Sequence, residues 1–167
     1  IEIIDDFLTE DFFKKYEMPA HLDLIINCAD EPNVDKTSRI VAEYAMEKRI
    51  PHIIGGGYNL HLTLIGQTII PFQTACFECF NLFLKELNDT SLRNVKKLHR
   101  ENRKLGSFAP LSGIASNLAV LDAFKLLIGR LDKLQQANKR IEFNSASHKF
   151  SVMQVNRSKK CKWCGNE

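Results

Sequence analysis

Four cysteines in two matched pairs constrain this chain more than any other feature. Cys76-Phe77-Glu78-Cys79 and Cys161-Lys162-Trp163-Cys164 each leave two residues between their thiols, and Gly165 follows the second pair. That gap lets both thiolates of a pair turn toward one cation, and two such hooks complete the tetrahedral four-sulfur shell that Zn²⁺ accepts. Four protein ligands leave no open position for water, so the expected site is structural and not catalytic. The competing readings, a redox pair or two disulfides, need a thioredoxin-like unit or an oxidising compartment. With 81 residues between Cys79 and Cys161, zinc would staple the tail onto the body of the domain. The entropy of closing so long a loop grows only slowly with its length. Cys28 stands alone after an apolar run and reads as a small buried hydrophobe.

A chain of 167 residues with 44% hydrophobic content can bury one sizeable core and is short for two ordinary domains. No apolar run approaches the roughly 18 residues of a membrane span, and no cleavable signal pattern opens the sequence. A soluble, cytoplasmic protein without a membrane partner is the expectation. The net charge of +3 and pI near 8.6 are too mild to imply nucleic acid. Arg93, Lys96, Lys97, Arg100, Arg103 and Lys104 do cluster, and they read as a solvated helix face or mobile segment. A nucleic-acid-binding zinc domain built on them would need an affinity that falls steeply as salt rises.

Strand and helix signals alternate through the first third: Ile1 to Ile4, a helical Thr9 to Glu17, Leu24-Ile25-Ile26, a helix from about Val34 to Arg49, then Ile53-Ile54. Such alternation argues for a parallel sheet with crossover helices. In the second helix Val34, Val41 and Ala45, with Ile40 and Tyr44 beside them, recur at helical spacing and should cover one sheet face. Gly55-Gly56-Gly57 breaks the pattern, and His61 to Ile70, interrupted by Gly66, reads as two short strands or a bulged one. From Glu78 to about Leu105 the chain turns helical and polar. The strongest helix runs from Pro110 to about Ile128, with Ile114, Leu118, Leu121 and Ile128 as its apolar stripe and Gly129 at its stop. Two further strands follow, around Arg140 to Phe143 and Phe150 to Val155. Ile1-Glu2-Ile3-Ile4 would need strand partners at once, so the chain is expected to begin inside a larger protein.

In an open parallel sheet ligands bind beyond the carboxyl ends of the strands, where Asp30 falls after Leu24-Ile25-Ile26-Asn27-Cys28. A carboxylate there can hold Mg²⁺ against nucleotide phosphates, because hard cations take oxygen ligands. The alternative is a helix cap, since Asp30 and Asn33 both precede a helix. No Gly-x-Gly-x-x-Gly turn and no P-loop is present, and Gly55-Gly56-Gly57 is not followed by a helix whose amino terminus could receive phosphate. His21, His52, His61, His99 and His148 have no metal or triad spacing and default to surface or satisfied core positions.

Taken in order, Asp23 to Asp30, Ile50-Pro51-His52-Ile53 leading into the three glycines, the first cysteine pair, Phe108-Ala109-Pro110, the small-residue helix with Lys125 and Gly129, and the second cysteine pair resemble the later part of the ThiF/MoeB/HesA family, relatives of ubiquitin-activating enzymes. Within it the chain is most similar to the peptide-adenylating MccB type of microcin biosynthesis, particularly at Ala29-Asp30-Glu31-Pro32 and Gly57-Tyr58-Asn59. The resemblance implies an α/β fold, the C-terminal half of a Rossmann-like adenylation domain with a mixed sheet, flanking helices and a four-cysteine zinc site. It implies that Asp30 binds Mg²⁺·ATP while a C-terminal carboxylate, that of a peptide or a small ubiquitin-like sulfur-carrier protein, is activated as an acyl-adenylate. It makes Cys76, Cys79, Cys161 and Cys164 the structural Zn²⁺ ligands and suggests a homodimer.

Two departures temper that picture. Many relatives carry an arginine five residues beyond this aspartate, where this chain has Asp35, and its nearest arginine is Arg39. The segment Asn81 to Gly106 holds no cysteine, so transfer to a thiol is not expected. The family's glycine-rich nucleotide turn, ribose-binding acid and phosphate-clamping Arg and Lys would precede Ile1. Residues 1–167 are therefore expected to form a partial adenylation domain with little activity alone. The rival function is a non-catalytic, zinc-stabilised module that docks a peptide or small protein.

Overall fold

The computed structural model describes residues 1–59, 61–91 and 108–165. A single helical turn, α1 (Phe12–Lys15), precedes β1 (Ile25–Asn27), α2 (Val34–Glu47) and β2 (His52–Ile54). Three short strands follow, β3 (Gly57–Asn59), β4 (Leu62–Leu64) and β5 (Gln67–Ile69). Beyond them come α3 (Phe77–Ser91), α4 (Ala109–Leu127), a 3-10 turn at Leu131–Lys133, and the hairpin of β6 (Lys139–Asn144) and β7 (Lys149–Gln154). The strands form two sheets, β1-β2-β5 and β3-β4-β6-β7.

Only β1 and β2 are parallel, with Ile26 opposite Ile53; β5 joins β2 antiparallel, with Thr68 opposite Ile53. The first sheet is thus mixed, and the second is antiparallel throughout. Two residues, Ile65 and Gly66, suffice to carry the chain from one sheet to the other: β4 belongs to the second and β5 to the first.

α2 covers one face of the first sheet, and it does so because Val41, Ala42, Ala45 and Met46 fall on one side of its 3.6-residue period. Its Asn33 cap accepts from the Lys36 backbone N–H at 2.9 Å, satisfying one of the donors a helix leaves open at its start. Under α2 lies the core: Ala42, Met46, Ile54 and Ile69 pack with Ala75, Phe77, Phe80, Val155 and the four paired cysteines.

Two expectations fail here. Ile1 to Ile4 form no strand, and Ile1 and Ile3 stand in solvent, because extended backbone becomes a strand only by pairing and no partner lies beside it among the described residues. α1 is one turn where a helix of twice that length is expected.

α4 is a core element, but through a different face from its apolar stripe. Leu111, Ala115, Asp122 and Ala123 are buried, whereas Leu121 and Ile128 are more than half exposed. The reason is the fully buried Asp122. Its carboxylate accepts from Thr68 Oγ1 at 3.1 Å, from the backbone N–H groups of Gln135 and Gln136 at 3.1 and 2.8 Å, and from Lys125 Nζ at 3.1 Å. A buried charge persists only where its hydrogen bonds are met, so this network fixes the rotation of α4 against β5. Among the described residues no helix is long and apolar enough to cross a membrane.

Candidate functional site

Asp30 sits where the sequence places it, beyond the carboxyl end of β1, and its loop is pinned from below. Asn27, buried at the end of the strand, accepts from the Ala29 N–H at 3.1 Å and donates to Ser38 Oγ at 3.3 Å. Thr37 Oγ1 donates to the Ala29 carbonyl at 2.6 Å. These bonds tie the loop to the first turns of α2, while the capping role belongs to Asn33. The Asp30 carboxylate is exposed and has neither a side-chain hydrogen bond nor an ion pair among the described residues. It is therefore free to serve a cation.

Asp30 borders a cleft of about 310 Å³ whose opposite wall is Gly55, Gly56 and Gly57. Two of these glycines are there for close approach. A Cβ on Gly55 would lie 2.6 Å from the Asn27 carbonyl oxygen, and one on Gly56 would lie 2.0 Å from that of Leu64. Cys28 lines the same cleft and is exposed, which corrects the buried reading: its side chain lies beyond the strand end, at the rim and not under α2. Two larger clefts, about 770 and 610 Å³, lie where α1 and the segment after it lean on α2, well apart from Asp30.

In the core under α2 the four paired cysteines converge. Cys76 precedes α3 and Cys79 lies in its first turn, while Cys161 and Cys164 belong to a turn in the tail. All four are buried, and their sulfurs lie within 4.8 Å of one another. Separations of 3.8 Å for Cys76 and Cys79 and 3.4 Å for Cys76–Cys161 and Cys79–Cys164 bracket the edge of a zinc tetrahedron, about 3.8 Å for bonds of about 2.3 Å. The donor set and its dimensions fit a four-sulfur metal site. Burial pushes the Cys79 thiol up to about 11 and Cys76 higher still, so without a cation these thiols stay protonated. At Cys161 burial also acts upward, but hydrogen bonds from the backbone N–H groups of Trp163 and Cys164 and from the Cys76 and Cys79 thiols together outweigh it, and the net direction is downward.

A belt of contacts holds the cysteine-bearing turns in place. Arg157 donates to the carbonyls of Phe72 and Cys164, and the Ser158 N–H points at Cys79 Sγ at 3.4 Å. Arg39 of α2 lies over the rings of Phe77 and Trp163, at 5.6 and 5.5 Å, and reaches Glu78 at 3.4 Å. That placement answers the question of the displaced arginine: Arg39 braces the cysteine knot.

A model of the ThiF family matches residues 2–164. The chain belongs to the ThiF family. No curated protein sequence matches it. Among solved structures this ThiF domain is similar to E. coli MccB, crystallised with succinimide, at 26% identity and TM-score 0.70 over 95% of this chain and 43% of MccB. MccB with ATP aligns at 25% identity and TM-score 0.69, over 94% and 42% of the two chains. MccB with MccA-N7isoAsn aligns at 26% and 0.69, over 98% and 45%. The chain thus spans less than half the length of these relatives.

Of the residues singled out in the sequence, the ThiF fold brings the four cysteines together and leaves Asp30 outside that cluster, in the exposed loop before α2. The basic cluster from Arg93 to Lys104, and His99 within it, lies outside the described residues. Sequence reasoning missed Asn27, Thr37 and Ser38, which hold the Asp30 loop. Their signal was there: small polar residues where α2 faces the strand end can only be hydrogen-bonded when buried. It also missed His52, fully buried, with Nδ1 3.1 Å from the Ile50 carbonyl and Nε2 without a partner.

Proposed function

We propose that these residues serve an ATP-dependent adenylyltransferase that activates the C-terminal carboxylate of a peptide, or of a small ubiquitin-like sulfur-carrier protein, as an acyl-adenylate. A carboxylate oxygen bonds to the α-phosphorus of Mg²⁺·ATP, the bond from that phosphorus to the bridging oxygen breaks, and pyrophosphate leaves. Asp30 holds the Mg²⁺ that neutralises the phosphates, which is how phosphoryl-centred chemistry is accelerated. Cys76, Cys79, Cys161 and Cys164 hold a structural Zn²⁺.

The observation that carries this reading is the exposed, unpartnered Asp30 carboxylate, anchored beside a glycine-walled cleft at the carboxyl rim of β1, in a ThiF-family fold. Structures of E. coli MccB with ATP and with MccA-N7isoAsn support a nucleotide and a peptide as the two reactants. The chain spans 43% of MccB, and we read residues 1–167 as a partial adenylation domain whose activity belongs to an intact enzyme. The polypeptide of 167 residues alone is expected to show little ATP–pyrophosphate exchange. A cytoplasmic homodimer is part of the same proposal, to be checked by sedimentation of the intact protein.

Calorimetric titration of the intact protein with Mg²⁺·ATP, beside its Asp30→Ala variant, tests the assignment. Loss of nucleotide binding together with a fall of about 100-fold or more in peptide-stimulated exchange is expected. Unchanged nucleotide affinity in the variant would favour the non-catalytic, zinc-stabilised peptide-binding module.

A further inference from the structure

Beside the Asp30 cleft lies a second cavity, of about 240 Å³, between the first sheet and α4. Ile26 and Ile53 form its floor, and Ala115, Ala119 and Val120 of α4 its roof. No charged side chain lines it. The two spaces share a wall, because Cys28, Gly55, Gly56 and Gly57 line both.

Gly57 differs from its two neighbours. A Cβ on Gly57 would meet nothing within 4 Å, and its φ lies outside the left-handed region. The backbone would accept a side chain there, and β3 would gain from one, since glycine weakens a strand. The position is nonetheless bare, at the junction of the polar cleft and the apolar cavity.

We propose that the apolar cavity receives the side chain of the substrate's C-terminal residue, an uncharged and mainly aliphatic one, and that Gly57 is the specificity-determining residue that keeps the passage open. The inference rests on the adenylation reading above. The reacting carboxylate must reach the α-phosphate beside Asp30, and the Cα that carries the terminal side chain is one bond behind that carboxylate. Its side chain therefore lies within a few ångströms of the shared glycine wall. An aliphatic group entering the cavity is removed from water, whereas a carboxylate or ammonium would lose its hydration and meet no opposite charge, only the hydroxyls of Ser112 and Ser116.

The test is ATP–pyrophosphate exchange by the intact protein with a set of short peptides differing only in the last residue: Gly, Val, Leu, Asp and Lys. The wild type should prefer Val and Leu over Asp and Lys by about tenfold or more in kcat/KM, a discrimination reachable by a pocket of this kind. In Gly57→Val the ratio of kcat/KM for the Leu-ended over the Gly-ended peptide should fall at least about tenfold. Ala119→Leu, filling the cavity from its roof, should lower the same ratio and carries the comparison should Gly57→Val not fold. Equal rates for all five ends, or variants that slow every peptide by one common factor, overturn the proposal. A wild type that binds no Mg²⁺·ATP and exchanges with no peptide refutes the adenylation reading itself, a signature that a faulty pocket assignment cannot produce.

Discussion

On the α2 side of the first sheet Ala42, Ala45, Ile69 and Cys76 have no exposed surface, whereas on the α4 side Val120, Leu121, Phe124 and Leu127 are each more than half exposed. The α2 side is complete in itself. Its core is closed by cysteines drawn from α3 and from the tail, braced by Arg39 and Arg157, and every ligand of the knot comes from this chain. The α4 side holds the apolar cavity along the glycine wall and an apolar surface of the kind that marks contact with other molecules, and the exposed Asp30 sits at the strand ends beside it. Stability and function are thus separated across the sheet, and each of the following changes sets one side against the other.

The largest effect should come from the metal. Cys161→Ser with Cys164→Ser removes half of the sulfur shell, and the tail then loses the tie that holds it under α3. Structural zinc can supply much of the folding free energy of the unit it closes, so a loss of several kcal/mol is expected. One zinc per chain in the wild type, none in the double variant, and a melting temperature lower by more than about 10 °C would bear this out. An unchanged melt after chelation would erase the contrast between the two sides.

Asp122→Ala comes next and strikes the α4 side. It leaves the N–H groups of Gln135 and Gln136 and the Thr68 hydroxyl without their acceptor, and a buried pair broken in this way costs roughly 3–5 kcal/mol. Denaturant titration should show that loss with zinc still bound. Loss of zinc together with stability would mean that the two sides fold as one unit.

How far the residues foretold this arrangement depends on what kind of information each carried. The convergence of the cysteine pairs and the position of Asp30 beyond a strand end were legible because their signals are local: a two-residue gap and a place after an apolar run. The hairpin of β6 and β7 was legible for the same reason. The buried face of α4 was not, since nearly every turn of that helix is apolar or small, and periodicity cannot choose a face when all faces qualify. The choice was made by Asp122 through partners 13 and 14 residues further on, and one in β5. The antiparallel direction of β5 was equally hidden, because strand direction is decided by pairing and not by composition.

His52 gives a third contrast, one of pH. It lies at 0% exposure on the α2 side, and burial pushes its pKa down to about 4 from the ordinary 6.5. Below about 6.5 the unfolded chain takes up a proton that the folded chain refuses, so stability is full above that pH and falls as the pH drops to about 4. The loss should reach roughly 3 kcal/mol at most. Urea titrations across this interval should show the slope in the wild type and a flatter profile in His52→Gln. A wild-type profile that is flat from pH 7 to 4 would mean that the ring meets water or a proton acceptor after all.

The smallest effect on folding should come from Phe124→Ser. The ring is 61% exposed on α4, so little apolar area is removed from water when the chain folds, and little is lost when the ring is deleted. Serine and phenylalanine have about the same helix propensity, which keeps the expected change within about 0.5 kcal/mol. Self-association or binding of an apolar dye should fall in the same variant, because exposed rings are what such probes find. A loss of 2 kcal/mol or more would place Phe124 in a packed interior, and the division between a closed side and an open side would fail at its clearest residue.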